Sequence, residues 1–195
     1  MLPTSMDALI GSLWVTSVPP VRDAKAESRR LLNELKNDVR PAVEIASEMA
    51  EHVDRIDTHT PYLLRGRLHA EYALAQADLK AALETSGLRA IKYASKSSDR
   101  LEKVSLRYRD ADGCFDSLVT MACVERERAL AAITHSALRT GFTGSDPFDM
   151  ALEYLDEEYM MPERARDAIE RGSNLANSAE APYLISGFSR LSEYL

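Results

Sequence analysis

Glycine and proline are spaced so widely through the first two-thirds of the chain that long, unbroken helices are the main structure left open to it. Beyond residue 18 the breakers fall at Pro19, Pro20, Pro41, Pro61, Gly66, Gly87, Gly113, Gly141, Gly144, Pro147, Pro162, Gly172, Pro182 and Gly187. Up to Gly141 most of the intervals between them run about 18 to 27 residues, and they shorten afterwards. The filling is 26 Ala and 24 Leu against 16 Val plus Ile. Ala and Leu lose little side-chain freedom in a helix, whereas β-branched residues favour strands.

Four stretches carry apolar residues at the 3–4 spacing of a helix face. The first, about 21–56, has Leu31, Leu32, Leu35 and Val39, then Val43, Ala46, Met49, Ala50, Val53 and Ile56, with a kink or break expected near Pro41. A second helix is expected from Pro61, carrying Leu64, Leu68, Tyr72, Ala75, Leu79 and Leu83. The third spans about 88–112, with Ile91, Ala94, Ser98, Leu101, Val104 and Tyr108. The fourth spans about 114–139, with Phe115, Leu118, Ala122, Ala129, Ile133 and Ala137. Its run Glu125-Arg126-Glu127-Arg128 reads as a one-turn interruption of the apolar face. Gly87 and Gly113 suit helix ends. No alternating strand pattern or fixed-period repeat is present.

Beyond Arg139 the loop Gly141-Phe142-Thr143-Gly144-Ser145-Asp146-Pro147 ends in a helix-start signal, because Ser145 or Asp146 can cap and Pro147 suits the first turn. Short helices are expected from Pro162 to Gly172 and from Pro182 to Leu195, with polar Ser173–Glu180 between them. The expected fold is therefore all-α: an up-down antiparallel bundle of four long helices, the first kinked near Pro41, followed by a short-helix extension. The organisation reads as an N-terminal arm over 1–20, the bundle over 21–140, and an acidic segment over 141–195 packed on the bundle or on a neighbouring subunit.

The net charge of −7 argues against a protein whose main task is coating nucleic acid or an anionic membrane. Cys114 and Cys123 lie nine residues apart on one expected helix, roughly 13 Å at ~1.5 Å per residue and too far for a disulfide. Unpaired thiols suit a reducing compartment. The apolar stretch 8–18 follows Asp7 and no basic residue, unlike a secretory leader, and it is shorter than a membrane span. The expected location is cytoplasmic, with export without a cleaved leader as the alternative.

Charge is segregated along the chain. Residues 86–110 hold seven Lys or Arg and three acids, while residues 145–195 hold eleven acids and four Arg. Arg89, Lys92, Lys96, Arg100, Lys103 and Arg107 recur at spacings of 3, 4, 4, 3 and 4, within about 80° of one another at 100° per residue. The stripe reads first as the solvated face of an amphipathic helix. It also reads as a docking surface for an acidic partner, including the acidic tail of this or another subunit. A phosphate-contacting ridge ranks last, given the acidic total and the lack of interleaved aromatics.

Other chemistry is weakly signalled. Four histidines, His52, His59, His69 and His135, supply no paired Glu-x-x-His for a di-iron bundle; Glu48 and Glu51 approach His52 with the wrong spacing, and no second copy exists. Glu48, Glu51, Asp54 and Asp57 form an acidic ridge without an enforced cage. Gly-x-Ser-x-Gly is absent, the Gly141–Gly144 loop lacks a phosphate-loop lysine, and a Cys114–His135 pair has no third partner. No catalytic residue, metal ligand or cofactor is expected. The segment 101–112 is similar to the end of the helical hairpins exported by type VII secretion, with Tyr108 and Asp112 in the places of its Tyr-x-x-x-Asp/Glu. The Trp-x-Gly turn of that family is missing, and the same spacing recurs at Tyr154/Glu158 and Tyr159/Glu163.

The functional expectation is a non-enzymatic interaction or scaffolding protein that self-associates or binds a protein partner. Contacts are expected from the apolar arm (Ile10, Leu13, Trp14), from Tyr183, Phe188 and Tyr194, and from the basic stripe. The alternatives are the exported hairpin, a nucleic-acid-binding or capsid-type assembly protein, and a bundle enzyme or ligand carrier.

Overall fold

Helices poor in bulky side chains can be surrounded by others, and two such helices organise this fold. The computed structural model describes residues 19–56, 61–110, 118–157 and 159–195, with side chains placed for all of these except 19–24, 61–65 and 108–110. Among the described residues there are eight α-helices and no strand. They are α1 (Pro19–Lys36), α2 (Ala42–Arg55), α3 (Pro61–Glu84), α4 (Gly87–Asp110), α5 (Leu118–Thr140), α6 (Pro147–Asp156), α7 (Glu163–Ser178) and α8 (Pro182–Ser192). The chain is all-helical, as its composition and breaker spacing imply, and the helices pack as a bundle.

The expected kink near Pro41 is a complete break. Asp38 adopts a positive φ of 51°, and Val39, expected on the apolar face, stands 64% exposed in the turn. α1 and α2 fold back on each other, as their cross-pairs show. Arg30 binds Glu27 and Glu34 on its own helix and Glu48 on α2, while Arg40 reaches Glu34 at 2.8 Å and Glu48. α3 then seals both ends of the break. Lys80 Nζ donates to the Leu35 carbonyl at 2.6 Å and pairs with Asp38, and the Ala42 N–H donates to Glu84 at 2.8 Å. A cation thus meets unsatisfied carbonyls at the end of α1, and a carboxylate meets a free N–H at the start of α2.

Leu31, Leu32, Leu35, Ile45, Met49 and Val53 from this hairpin close on Leu68, Tyr72 and Leu79 of α3 and on Leu101 and Val104 of α4. Full burial of one such aliphatic side chain contributes about 1.5–3 kcal/mol. From Leu68 to Leu79 every residue of α3 is buried, because Ala70, Ala73, Ala75 and Ala77 let neighbours approach on all sides. The Ser97 hydroxyl of α4 donates to the Ala75 carbonyl at 2.8 Å, across that close approach.

α5 is the second surrounded helix. Val124 and Ala131 join the first core, while Ala122, Ala129 and Ile133 join a second formed with α6, α7 and α8. The C-terminal segment therefore packs on α5 of its own chain. The start of α6 is built as expected, with the Asp146 carboxylate accepting from the Phe148 and Asp149 amides at 2.8 and 3.1 Å and Pro147 in the first turn. The expected end of a helix at Gly172 is corrected: α7 runs on through the polar stretch to Ser178. Gly172 serves close packing instead, since a Cβ there would overlap the Phe188 ring of α8.

Candidate functional site

Two charged features stand out, one on the surface and one inside. The basic stripe lies on α4, and the fold splits it. Arg100 and Arg107 lean toward α3, where Arg100 Nε is 3.6 Å from Asp78 and Arg107 is 4.0 Å from Glu71. Glu71 also accepts from Arg67 at 3.0 Å. Arg107 nevertheless remains exposed, as do Arg89, Lys92, Lys96 and Lys103. The half-buried ring of Tyr93 lies between two of them, with Arg89 5.9 Å and Lys96 5.3 Å from its centre. An interleaved aromatic is thus present after all, and it holds two cations by attraction to its π face.

Two acids of α4 itself, Asp99 and Glu102, face arginines of other helices. Asp99 accepts from Arg164 of α7 at 2.8 Å, and Glu102 lies 3.0 Å from Arg128 of α5. Lys92 and Lys103 make no ion pair among the described residues. Arg89, Lys92, Lys96 and Lys103 are therefore not neutralised by these two acids.

Asp78 sits 3% exposed in the α3–α4 seam, and burial pushes its carboxyl up to about 6 despite the opposing pull of Arg100 and Lys96. Desolvation here outweighs a partner at 3.6 Å because that distance is too long for a hydrogen bond.

The interior feature centres on Arg128, which is 2% exposed and the largest fully buried side chain among the described residues. Its Nη1 donates to Glu125 at 2.7 Å and to Ser105 Oγ at 3.2 Å, its Nε faces Glu102 at 3.0 Å, and its Nη2 binds Asp167 of α7. Glu125 also accepts from the Ser105 hydroxyl at 2.6 Å and lies 2.9 Å from Arg171 Nε. Two cations thus face three carboxylates where α4, α5 and α7 meet. The Glu125–Arg128 run, expected to interrupt an apolar face, is instead an internal tie. A buried charge left alone is expensive, so such a group persists only when paired and hydrogen-bonded, as here. Both terminal nitrogens of the guanidinium are engaged, so this cluster joins α4, α5 and α7.

The remaining expected sites are dispersed. Phe188 is 1% exposed, and its ring belongs to the second core, so it is not a surface contact; Tyr183 and Tyr194 are half-buried against that same core. The Tyr194 hydroxyl binds Asp156 of α6. Ile10, Leu13, Trp14, His59, Asp57, Tyr108, Asp112 and Cys114 lie outside the residues whose side chains are described. Cys123 is buried, and desolvation pushes its thiol up to about 12, with nearby Glu127 adding to the shift, which makes it a poor nucleophile. His52 lies 3.2 Å from the Ser28 hydroxyl. Of the acidic ridge, Glu48 is bound by two arginines and Glu51 by Arg55 at 3.0 Å, while Asp54 is exposed. Among the described residues no group of three or more His, Cys, Asp or Glu is placed to hold a metal ion. Nor is any described helix long and apolar enough to cross a membrane. Two open grooves of about 390 Å³ each flank α7, one of them floored by Phe188 and rimmed by Ser173, Asn177 and Ser189, the other lined by Asp167, Arg171 and Asn174.

The molecule thus defined is an all-α bundle with a buried ionic tie and a cationic surface ridge. No family model matches the chain, no curated protein is similar to it, and no solved structure matches it.

Proposed function

We propose that this chain is a non-enzymatic interaction protein that engages an acidic protein surface along the exposed ridge of α4. What carries the reading is the set Arg89, Lys92, Lys96 and Lys103. They stand on one face of α4, and Asp99 and Glu102 of that helix face Arg164 and Arg128. Such a row supplies orientation and encounter rate more than bulk affinity. The terminal nitrogens of the buried Arg128 are taken up by Glu125, Ser105 and Asp167, which suits a structural tie better than a reaction site.

The test is binding of a fluorescent helical peptide bearing glutamates at 3–4 spacing, at low salt, to the wild type and to K92E/K96E/K103E. Exposed ion pairs are each worth about 0.2–1 kcal/mol, so replacing three attractions by repulsions should weaken binding at least about tenfold. An unchanged affinity refutes the reading, and so does tighter binding of duplex DNA than of the peptide.

A further inference from the structure

The basic ridge has an acidic counterpart on the same chain, written in the reverse spacing. On α6, Asp149, Glu153 and Asp156 are exposed and follow spacings of 4 and 3, opposite the buried Met150, Ala151, Tyr154 and Leu155. On α4, Arg89, Lys92 and Lys96 follow 3 and 4. At about 100° and ~1.5 Å per residue, each trio falls within roughly 60° of arc and about 10 Å of length. Read antiparallel, the axial steps coincide: Arg89 opposes Asp156, Lys92 opposes Glu153, and Lys96 opposes Asp149. α6 contains no basic residue. Arg126 and Arg190 lie beside it with their guanidiniums over the Phe148 ring, on its flank.

A second observation gives the same antiparallel sense. Among the described residues the two most exposed large apolar side chains are Leu88 at 86% and Met160 at 85%, with Tyr159 also exposed. Leu88 directly precedes the basic trio, and Tyr159 and Met160 follow shortly after the acidic one. The antiparallel register that matches the charges therefore brings Leu88 to Met160 at the same end. Apolar side chains this exposed have no stabilising role in a lone bundle, whereas at the end of an ion-pair row they would exclude water from it.

We infer that the acidic surface engaged by α4 is α6 of a second copy of this chain, set antiparallel with Leu88 against Met160. This rests on the reading of α4 as a docking ridge and names its partner. Two helix faces of this length bury less than the roughly 1,200 Å² of a standard interface, so the association is weak and salt-sensitive.

Sedimentation equilibrium across a wide range of protein concentrations, at about 0.05 M and about 0.5 M salt, tests it on four samples: wild type, K92E/K96E, D149K/E153K, and an equimolar mixture of the two variants. Circular dichroism checks that each variant remains folded. The wild type should gain mass with concentration at low salt and lose that gain at high salt. Each variant alone places like charges opposite each other and should associate at least about tenfold more weakly. The mixture should restore association, because both of its cross-contacts again join opposite charges. A wild type that stays monomeric at low salt overturns the inference, as does association that survives the α6 reversal. If the wild type is monomeric yet binds the glutamate peptide through α4, the docking reading stands and only the self-partner falls. Loss of both removes the docking reading as well.

Discussion

Replacing Arg128 with methionine removes the cation that ties α5 to α4 and α7 while keeping most of the side-chain volume. Taking one partner from a buried ion pair typically costs 3–5 kcal/mol, because the charge left behind is uncompensated. Here the damage falls mainly on one group. Asp167 is mostly exposed and Glu102 partly so, and both can turn to water. Glu125 cannot, since its side chain is 3% exposed, but it keeps Ser105 at 2.6 Å and Arg171 at 2.9 Å. The expected loss is therefore at the lower end, about 3 kcal/mol, or roughly 6–12 °C in Tm for a chain of this size. Urea unfolding followed by circular dichroism measures it. Arg128→Lys should lose less, because it retains the charge but not the planar fork. The double variant E125L/R128M should lose clearly less than the sum of its single variants, since no carboxylate is then stranded. A loss below about 1 kcal/mol for Arg128→Met, or strict additivity in the cycle, would refute a buried, coupled tie.

Two further outcomes follow from the packing. For Asp78 the folded-state pKa is raised to about 6 from an ordinary 3.8, so the folded chain holds the proton more tightly and this group's contribution weakens as pH rises from about 4 to 6. Asp78→Asn should remove that fall and gain stability over wild type at pH 7, by roughly 3 kcal/mol, as read from denaturation midpoints across pH; an identical pH dependence in both proteins would contradict it. Gly172→Ala should destabilise despite the ~1 kcal/mol better helix propensity of alanine. The added methyl meets the buried Phe188 ring, and overpacking costs about 1–3 kcal/mol. A stabilised variant in urea would show that the α7–α8 seam yields easily.

Helix content and the break at Pro41 were legible because both follow from local rules: propensity, and the missing amide of proline. So was the start of α6, where Asp146 and Pro147 act within one turn. The surrounded helices were harder to read. Periodicity assumes one buried face, yet α3 and α5 are buried nearly all round, and the signal available was the recurrence of alanine at 70, 73, 75, 77, 81 and 82. For the same reason Glu125 and Arg128 read as solvent-facing, since a charge on an isolated helix gives no hint that Asp167, about forty positions later, will cover it. Gly172 misled because glycine signals helix ends, whereas here its missing side chain admits a ring from another helix. The stripe on α4 was visible as a pattern. Which of its cations would meet an acid, Arg100 beside Asp78 and Arg107 near Glu71, depended on where the acids of α3 came to lie.

The position of α5 between two cores bears on how the chain is made. Residues 118–140 leave the ribosome before the helices that cover half their surface, and at about 5–20 residues per second the interval lasts several seconds. Through that time Ala129 and Ile133 lack their apolar neighbours and Arg128 lacks Asp167. The N-terminal hairpin, α3 and α4 can assemble meanwhile, but α5 is completed only when α7 arrives. Substitutions in α7 should then act on yield and aggregation during synthesis before they show in any property of the finished protein.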